Sequence, residues 1–352
     1  MNGTAKRRLL TTGKKPMNDI GGFMILRLAQ VAVCLVLSAS YCAADLVVFG
    51  DSLSDNGNTS SLTAGLIPAA SSGYIGGTFT NGANWTATLA NRLGVAAPVA
   101  STAGGDNYAH GGARVTSDQF LRPSLTSQIS SYISSITNGS SISASDLHVI
   151  WGGANDLLSN ATDSQAQAVA GAIQAGIDSL YQSGARRFLV MNLPVLSSTP
   201  LVQLDPNLDG VALDQVVGLF NSALSSELSN TAISLPGIEI VEFDTASLFS
   251  EVIANPAGFG FTNVTDSAAP IDLVSFIPGL ATGLPPPNVN SNEYLFYDGL
   301  HPTSTAHAIV GNRAADLVLA VPEPNCIHLA LLGCVLTRRF RSHRGRRKTI
   351  AC

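Results

Sequence analysis

The chain has 352 residues, 45% of them hydrophobic and only 12% charged, with a formal net charge of -5, the make-up of one large globular domain or two ordinary ones. Between Asp45 and Val321 the basic residues, histidines aside, are Arg92, Arg114, Arg122, Arg186, Arg187 and Arg313, set among acidic residues throughout; such a surface repels phosphate backbones and anionic lipid headgroups and excludes a nucleic-acid partner. The five cysteines are Cys34 and Cys42 before that stretch and Cys326, Cys334 and Cys352 after it, so the middle has no disulfide, no thiolate metal site and no cysteine nucleophile, and is large enough to fold without staples.

Residues 1–44 read as a leader and signal peptide. Met24 and Arg27 precede an apolar run over 28–38, and Ala43-Ala44 supplies small residues at the cut; cleavage is expected after Ala44. Tyr41 is too bulky for a lipoprotein reading of Cys42, the Arg7-Arg8 pair lies too far upstream for a twin-arginine signal, and Met24 is a second candidate start. The folded domain is expected over 45–321. Strand-like apolar runs lie at 46–49, 147–151, 188–191 and 238–243, with a shorter one near 107–109. Helical periodicity falls between them. Leu125, Ile129, Tyr132, Ile133 and Ile136 share a face, and so do Ala166, Val169, Ala170, Ile173, Ile177 and Leu180, stopped by Ser183-Gly184. Leu213, Val217, Phe220, Leu224 and Leu228 form a third stripe, and Pro302-Thr303 opens a last helix through Leu317. Strands alternating with helices predict a parallel sheet covered on both faces. The segment 256–292, rich in Gly, Pro, Ser and Asn, is read as a long functional loop bordering the site.

The tail over 322–352 carries Pro322-Glu323-Pro324, an apolar run over 326–336 and a basic end from Arg338 to Lys348. Eleven helical residues span about 16 Å, short of a hydrocarbon core of about 30 Å, and the arginines resist translocation. A transient membrane insertion followed by processing is therefore expected, with the protein exported to the cell surface or beyond. A plain tail anchor is the alternative. The order of these three features resembles the PEP-CTERM sorting signal of bacterial surface proteins, which implies a sorting protease as a partner.

The chemistry lies in four short segments. Ser52 follows the first strand, Gly112 the short second one and Asn155 the third, so all three fall on the carboxyl edge where open parallel sheets bind ligands. Asp298 and His301 stand three apart across Gly299-Leu300. That spacing lets the carboxylate hold one imidazole nitrogen while the other faces Ser52, which assembles a nucleophile, a base and its orienting acid. Gly112 can aim a backbone N–H and Asn155 a side-chain N–H at an oxyanion, together with the N–H of Ser52; Gly111 could serve in place of Gly112. A lone serine here would ordinarily be a helix N-cap, and a lone Asn155 a turn residue. His148 falls in a strand and His307 in a helix, which leaves His110 as the competing base. Asp51, Asp55 and Asp156 are read as turn carboxylates that hold the loops. No metal and no cofactor enter this scheme.

With these residues on the page, the chain resembles the GDSL esterase/lipase family, also called SGNH hydrolases. The matching segments are Gly50-Asp51-Ser52-Leu53, Gly112 within 107–113, Asn155 within Gly153-Ala154-Asn155-Asp156, and Asp298 with His301. Thr78 to Trp85 is similar to the branch of plant enzymes and bacterial lecithinase- or haemolysin-like lipases. The resemblance implies a flavodoxin-like three-layer α/β/α sandwich around a five-stranded parallel sheet, and metal-free ester hydrolysis through an acyl-serine. Lipid, short acyl and acetylated-sugar esters are the substrates in view. A polysaccharide acetylesterase, or a surface protein that keeps the fold for matrix binding, are the competing readings.

Overall fold

The computed structural model describes residues 44–136, 142–271 and 287–321. The leader through residue 43, the tail from residue 322 and the middle of the 256–292 segment lie outside the described residues, and with them the expected signal peptide and sorting signal.

Four strands form a parallel sheet in the order β1-β2-β3-β4. They are β1 (Leu46–Gly50), β2 (Leu147–Trp151), β3 (Arg187–Met191) and β4 (Glu239–Phe243). Their registers pair Val48 with Val149, Val149 with Leu189, and Leu189 with Val241. Every residue of β1 and β2 is buried, because helices cover both faces and nothing polar-out is required of a strand so placed.

The expected fifth strand is present only as a trace. Val48 N–H donates to Asp106 O at 2.9 Å, Tyr108 N–H to Val48 O at 2.7 Å and His110 N–H to Gly50 O at 3.2 Å, yet only one parallel bridge, Val48 with Asn107, forms along β1. Two features stop it from growing. The Gly50 N–H that would continue the ladder donates instead to Gln128 Oε1 at 2.9 Å, and the chain turns away at Gly111-Gly112. With this segment counted, the order is that of a flavodoxin-like sheet, 2-1-3-4-5; as a sheet of full strands it has four members.

The helices of the described residues are α1 (Asn58–Leu62), α2 (Trp85–Leu93), α3 (Leu125–Ser135), α4 (Ala154–Ser159), α5 (Asp163–Gln182), α6 (Pro200–Leu204), α7 (Gly210–Ser234), α8 (Thr245–Ala254) and α9 (Ser304–Ala320). The four long apolar stripes of the sequence become α3, α5, α7 and α9. Each starts at a side-chain cap, from Ser124, Thr162, Asp209 and Thr303 respectively, which satisfies amide groups that have no partner inside the helix. α5 packs on α3 and α7, and α2 on α9. The last pair comes close at Gly311, where a Cβ would meet the side chain of Thr88 at 2.7 Å. No helix among the described residues is long and apolar enough to cross a membrane.

The 256–292 segment is not structureless. It contains a strand, β5 (Asn263–Ser267), which runs parallel to β6 (Tyr294–Phe296). The chain after β5 then runs beside the Asp298 turn, with Ala268 and Ala269 N–H donating to Phe296 and Tyr297 O.

Candidate active site

Ser52 sits in the turn immediately after β1, and Asn155 at the start of α4 just beyond β2. Asp298 and His301 occupy a turn between β6 and α9. Parallel strands all end on one edge, which brings Ser52 and Asn155 together; the Asp298–His301 turn reaches the same edge from the separate β5–β6 pair.

The Ser52 hydroxyl donates to His301 Nε2 at 2.8 Å. On the far side of the ring, Nδ1 lies 2.7 Å from Asp298 Oδ2 and 2.9 Å from Oδ1. The carboxylate only accepts, so Nδ1 carries the proton and Nε2 presents its lone pair to Ser52. All three side chains are buried. Asp298 Oδ1 also accepts the backbone N–H groups of Leu300 and His301, both at 2.8 Å. Burial pushes the Asp298 carboxyl up, but the adjacent His301 and the hydrogen bonds from His301, Tyr74 and Leu300 outweigh it and hold the group below the usual carboxylate range.

Two residues that support this relay carry no signal of their role in the sequence. The Tyr74 hydroxyl donates to Asp298 Oδ2 at 2.5 Å, and its ring packs edge-on against Tyr297 with centroids 5.0 Å apart. Phe79 lies against the His301 imidazole with centroids 5.2 Å apart; its other side meets Gly111, where a Cβ would overlap the phenyl ring. The same segment grips the next residues, with Thr80 Oγ1 donating to Pro302 O at 2.8 Å and Ser304 N–H to Asn81 Oδ1 at 2.7 Å. The stretch 74–81 is thus a brace across the Asp298–His301 turn.

Gly111 N–H is engaged by Asp55 Oδ2 and Thr59 Oγ1, which removes it as an oxyanion donor. Gly112 is half-buried with φ 73°, and among the described residues its N–H and that of Ser52 make no intraprotein hydrogen bond. The Asn155 amide donates to Ala113 O at 3.0 Å, next to Gly112, and lies 3.4 Å from Asp51 Oδ2. Asp51 accepts Leu53 N–H at 3.0 Å, and burial pushes its carboxyl up to about 6. Asp55 accepts the N–H groups of Gly57, Asn58 and Thr59, and Asp156 that of Val115. These three carboxylates organise loops.

The rival histidines make no contact with Ser52. Burial pulls His110 and His148 down to about 4 and His307 to about 3, so all three are neutral near pH 7.

Beside Ser52, Asn155 and His301 opens a pocket of about 590 Å³, counted with its mouth. Leu53, Leu158, Leu193, Val195, Leu196 and Phe249 line it. A nucleophile poised next to an apolar recess can place the acyl side of an ester against Ser52.

A doubly covered parallel sheet with a Ser–His–Asp relay on its carboxyl edge defines a hydrolase of the α/β class. The chain belongs to the GDSL-like lipase/acylhydrolase family, whose profile matches residues 46–314, and is a carboxylic ester hydrolase. Two GDSL esterases/lipases of Arabidopsis thaliana are 24% and 25% identical to it over 316 and 342 residues, covering 76% and 83% of this chain and 86% and 93% of their own. A phosphatidylcholine-sterol acyltransferase of Aeromonas hydrophila is 25% identical over 312 residues, covering 78% of this chain and 89% of its own.

Proposed function

We propose that the protein is a serine esterase that cleaves carboxylic esters through an acyl-Ser52 intermediate. The observation that carries this reading is the continuous relay from Ser52 Oγ through His301 to Asp298, with each link at 2.7–2.9 Å. Ser52 Oγ attacks the ester carbonyl while His301 Nε2 takes its proton, and Asp298 stabilises the imidazolium. The carbonyl oxygen becomes an oxyanion held by the N–H groups of Ser52 and Gly112 and the amide of Asn155. Collapse breaks the ester C–O bond, and His301 returns the proton to the departing alcohol. Water, deprotonated by the same His301, then releases the acid and restores Ser52. In the resting geometry Asn155 donates to Ala113 and Asp51, so its turn toward the oxyanion accompanies the developing charge.

The apolar recess favours acyl groups longer than acetyl, hence lipid or short-chain acyl esters over acetylated polysaccharide. The acyltransferase name of the Aeromonas relative points the same way. Kinetics on p-nitrophenyl esters from acetate to decanoate, set beside acetylated polysaccharides, test this. Ser52→Ala and His301→Ala should each abolish nearly all turnover, since members of one relay act as a unit. Preference for acetylated polysaccharide would instead favour the acetylesterase reading, and a well-folded protein inert toward every ester would favour the matrix-binding one.

The sequences that flank residues 45–321 support export. The apolar run before Ala44 and the Pro-Glu-Pro, apolar and basic order of 322–352 are the features of a signal peptide and a processed sorting tail. Intact-mass analysis of native protein should find a mature form that starts near Asp45 and lacks the basic end. A form that retains Arg338 to Lys348 would make the tail a plain anchor.

A further inference from the structure

Of the six arginines between Asp45 and Val321, Arg92, Arg187 and Arg313 pair with Asp316, Glu239 and Glu251 at 2.6, 3.4 and 3.3 Å. Arg186 lies 4.0 Å over the Tyr181 ring and donates to the carbonyls of Tyr181 and Ala185. Burial raises the Asp156 carboxyl, and Arg114 is close enough to offset part of that rise. Arg122 differs: its guanidinium makes no hydrogen bond or ion pair among the described residues, although it is half-buried. Asp118, the carboxylate nearest in sequence, is turned to Ser124 N–H and Ser127 Oγ at 2.7 and 3.0 Å. Burial pulls the guanidinium down from the usual arginine value, the mark of a cation that has lost water without gaining a counter-ion.

The position of this cation is built. Gln119 and Arg122 exchange backbone hydrogen bonds at 3.0 and 2.9 Å, and Phe120 and Leu121 form the tip between them. The hairpin lays the guanidinium flat on Gly112. A Cβ there would stand 3.0, 3.2 and 3.3 Å from Nη1, Cζ and Nε, so a side chain at 112 would press on the guanidinium. Gly112 is the proposed oxyanion donor, and the neighbouring Ala113 carbonyl holds Asn155 at 3.0 Å. The unpaired cation therefore borders the oxyanion site, while no residue of its hairpin lines the apolar pocket.

We propose that Arg122 is an anion subsite of the Ser52 centre, taking a phosphate carried on the alcohol side of the ester, so that the preferred substrates are acyl esters of glycerophosphate. The inference rests on the acyl-Ser52 reading. The acyl chain enters the apolar pocket and the phosphate meets the guanidinium fork, which suits it in geometry and charge. Hydrolysis breaks only the carboxylic ester. The glycerophosphate leaves with the proton from His301, its phosphate bond intact. The surrounding acidic surface repels anionic membranes, so the substrate is captured one molecule at a time or from surfaces without net charge.

The test compares two soluble esters of equal acyl length, 1-hexanoylglycerol and 1-hexanoylglycerol 3-phosphate, on the full chain by titration of released acid. Wild type should favour the phosphate ester in kcat/KM. Arg122→Gln should lower that preference at least tenfold, mainly through KM of the phosphate ester, and Arg122→Lys should recover part of it. Glycerol 3-phosphate should competitively inhibit hydrolysis of the neutral ester by wild type, which keeps the test valid if the glutamine variant folds poorly. Equal kcat/KM for the two esters in wild type, an unaltered preference in Arg122→Gln, or no inhibition by glycerol 3-phosphate overturns the anion subsite alone. A folded wild type that cleaves neither ester overturns the Ser52 reading and this inference with it.

Discussion

Tyr74→Phe isolates one atom of the site. The phenyl ring keeps its edge-on packing against Tyr297, and only the hydroxyl that donates to Asp298 Oδ2 at 2.5 Å is lost. A hydrogen bond to a charged group is worth about 1.5–3 kcal/mol. In a domain of this size that loss should lower Tm by about 3–10 °C. If it were felt wholly at the transition state, kcat/KM would fall by about 10- to 150-fold. Asp298 retains three N–H donors, from Leu300, from His301 and from the imidazole, so the low end, about tenfold, is expected. The pH dependence has a fixed sign. The folded-state carboxyl of Asp298 is held below its ordinary value, so its stabilisation is present above the unfolded value of about 3.9 and is lost as pH falls through the folded one. Tyr74 strengthens the charged form, and its removal should cost most near neutrality and progressively less under strong acid. Urea midpoints of the two proteins across pH 3–8, with kcat/KM on p-nitrophenyl butyrate, measure both effects. Equal midpoints at pH 7 together with unchanged kcat/KM would refute the role given to the Tyr74 hydroxyl.

Asn155→Ala should lower kcat by about 10²–10³, the usual loss for one oxyanion donor, with a much smaller change in KM, as steady-state kinetics on a p-nitrophenyl ester will show. Leu158→Trp fills part of the apolar recess and should move the acyl-length optimum toward acetate and propionate; an unmoved profile across the ester series would remove the recess as the acyl site. Asp51, raised from 3.8 to about 6 by burial, makes the fold more stable below its unfolded value, and that gain is lost as pH rises through about 6. Asp51→Asn should therefore gain on wild type by about 2 kcal/mol between pH 4 and pH 8, read as the difference in urea-derived stability at the two pH values.

How much of this was legible in the sequence depends on how local each feature is. Ser52, Asp298 and His301 stood out because a turn after a strand and a three-residue spacing are both written in neighbouring residues. The long helices were legible for the same reason, their apolar stripes recurring within each segment. α2 and α8 were not, because each is short, and Trp85, Leu89 and Ala90 or Leu248, Phe249 and Val252 give too few apolar repeats to stand out. The fifth strand was over-read. Its apolar pattern promised a ladder, but Gln128, 78 residues away in sequence, takes the Gly50 N–H that would have extended it. β5 was under-read, since Asn263 to Ser267 has no apolar alternation and pairs only because β6 lies alongside. Tyr74 reaches Asp298 across 224 residues of chain, and Arg122 meets Gly112 through a hairpin. Neither contact has a period or motif that a single sequence exposes.

The most direct test of the central claim is the identity of the atom that bears the acyl group. Full-length protein treated with a p-nitrophenyl alkylphosphonate, a mimic of the tetrahedral intermediate, should release one equivalent of p-nitrophenol, lose ester hydrolysis in parallel, and carry the phosphonyl mass on the peptide containing Ser52. The Ser52→Ala protein, folded by circular dichroism, should take up none. Label on another residue, or substantial ester turnover by the alanine variant, would contradict the assignment of Ser52 as nucleophile.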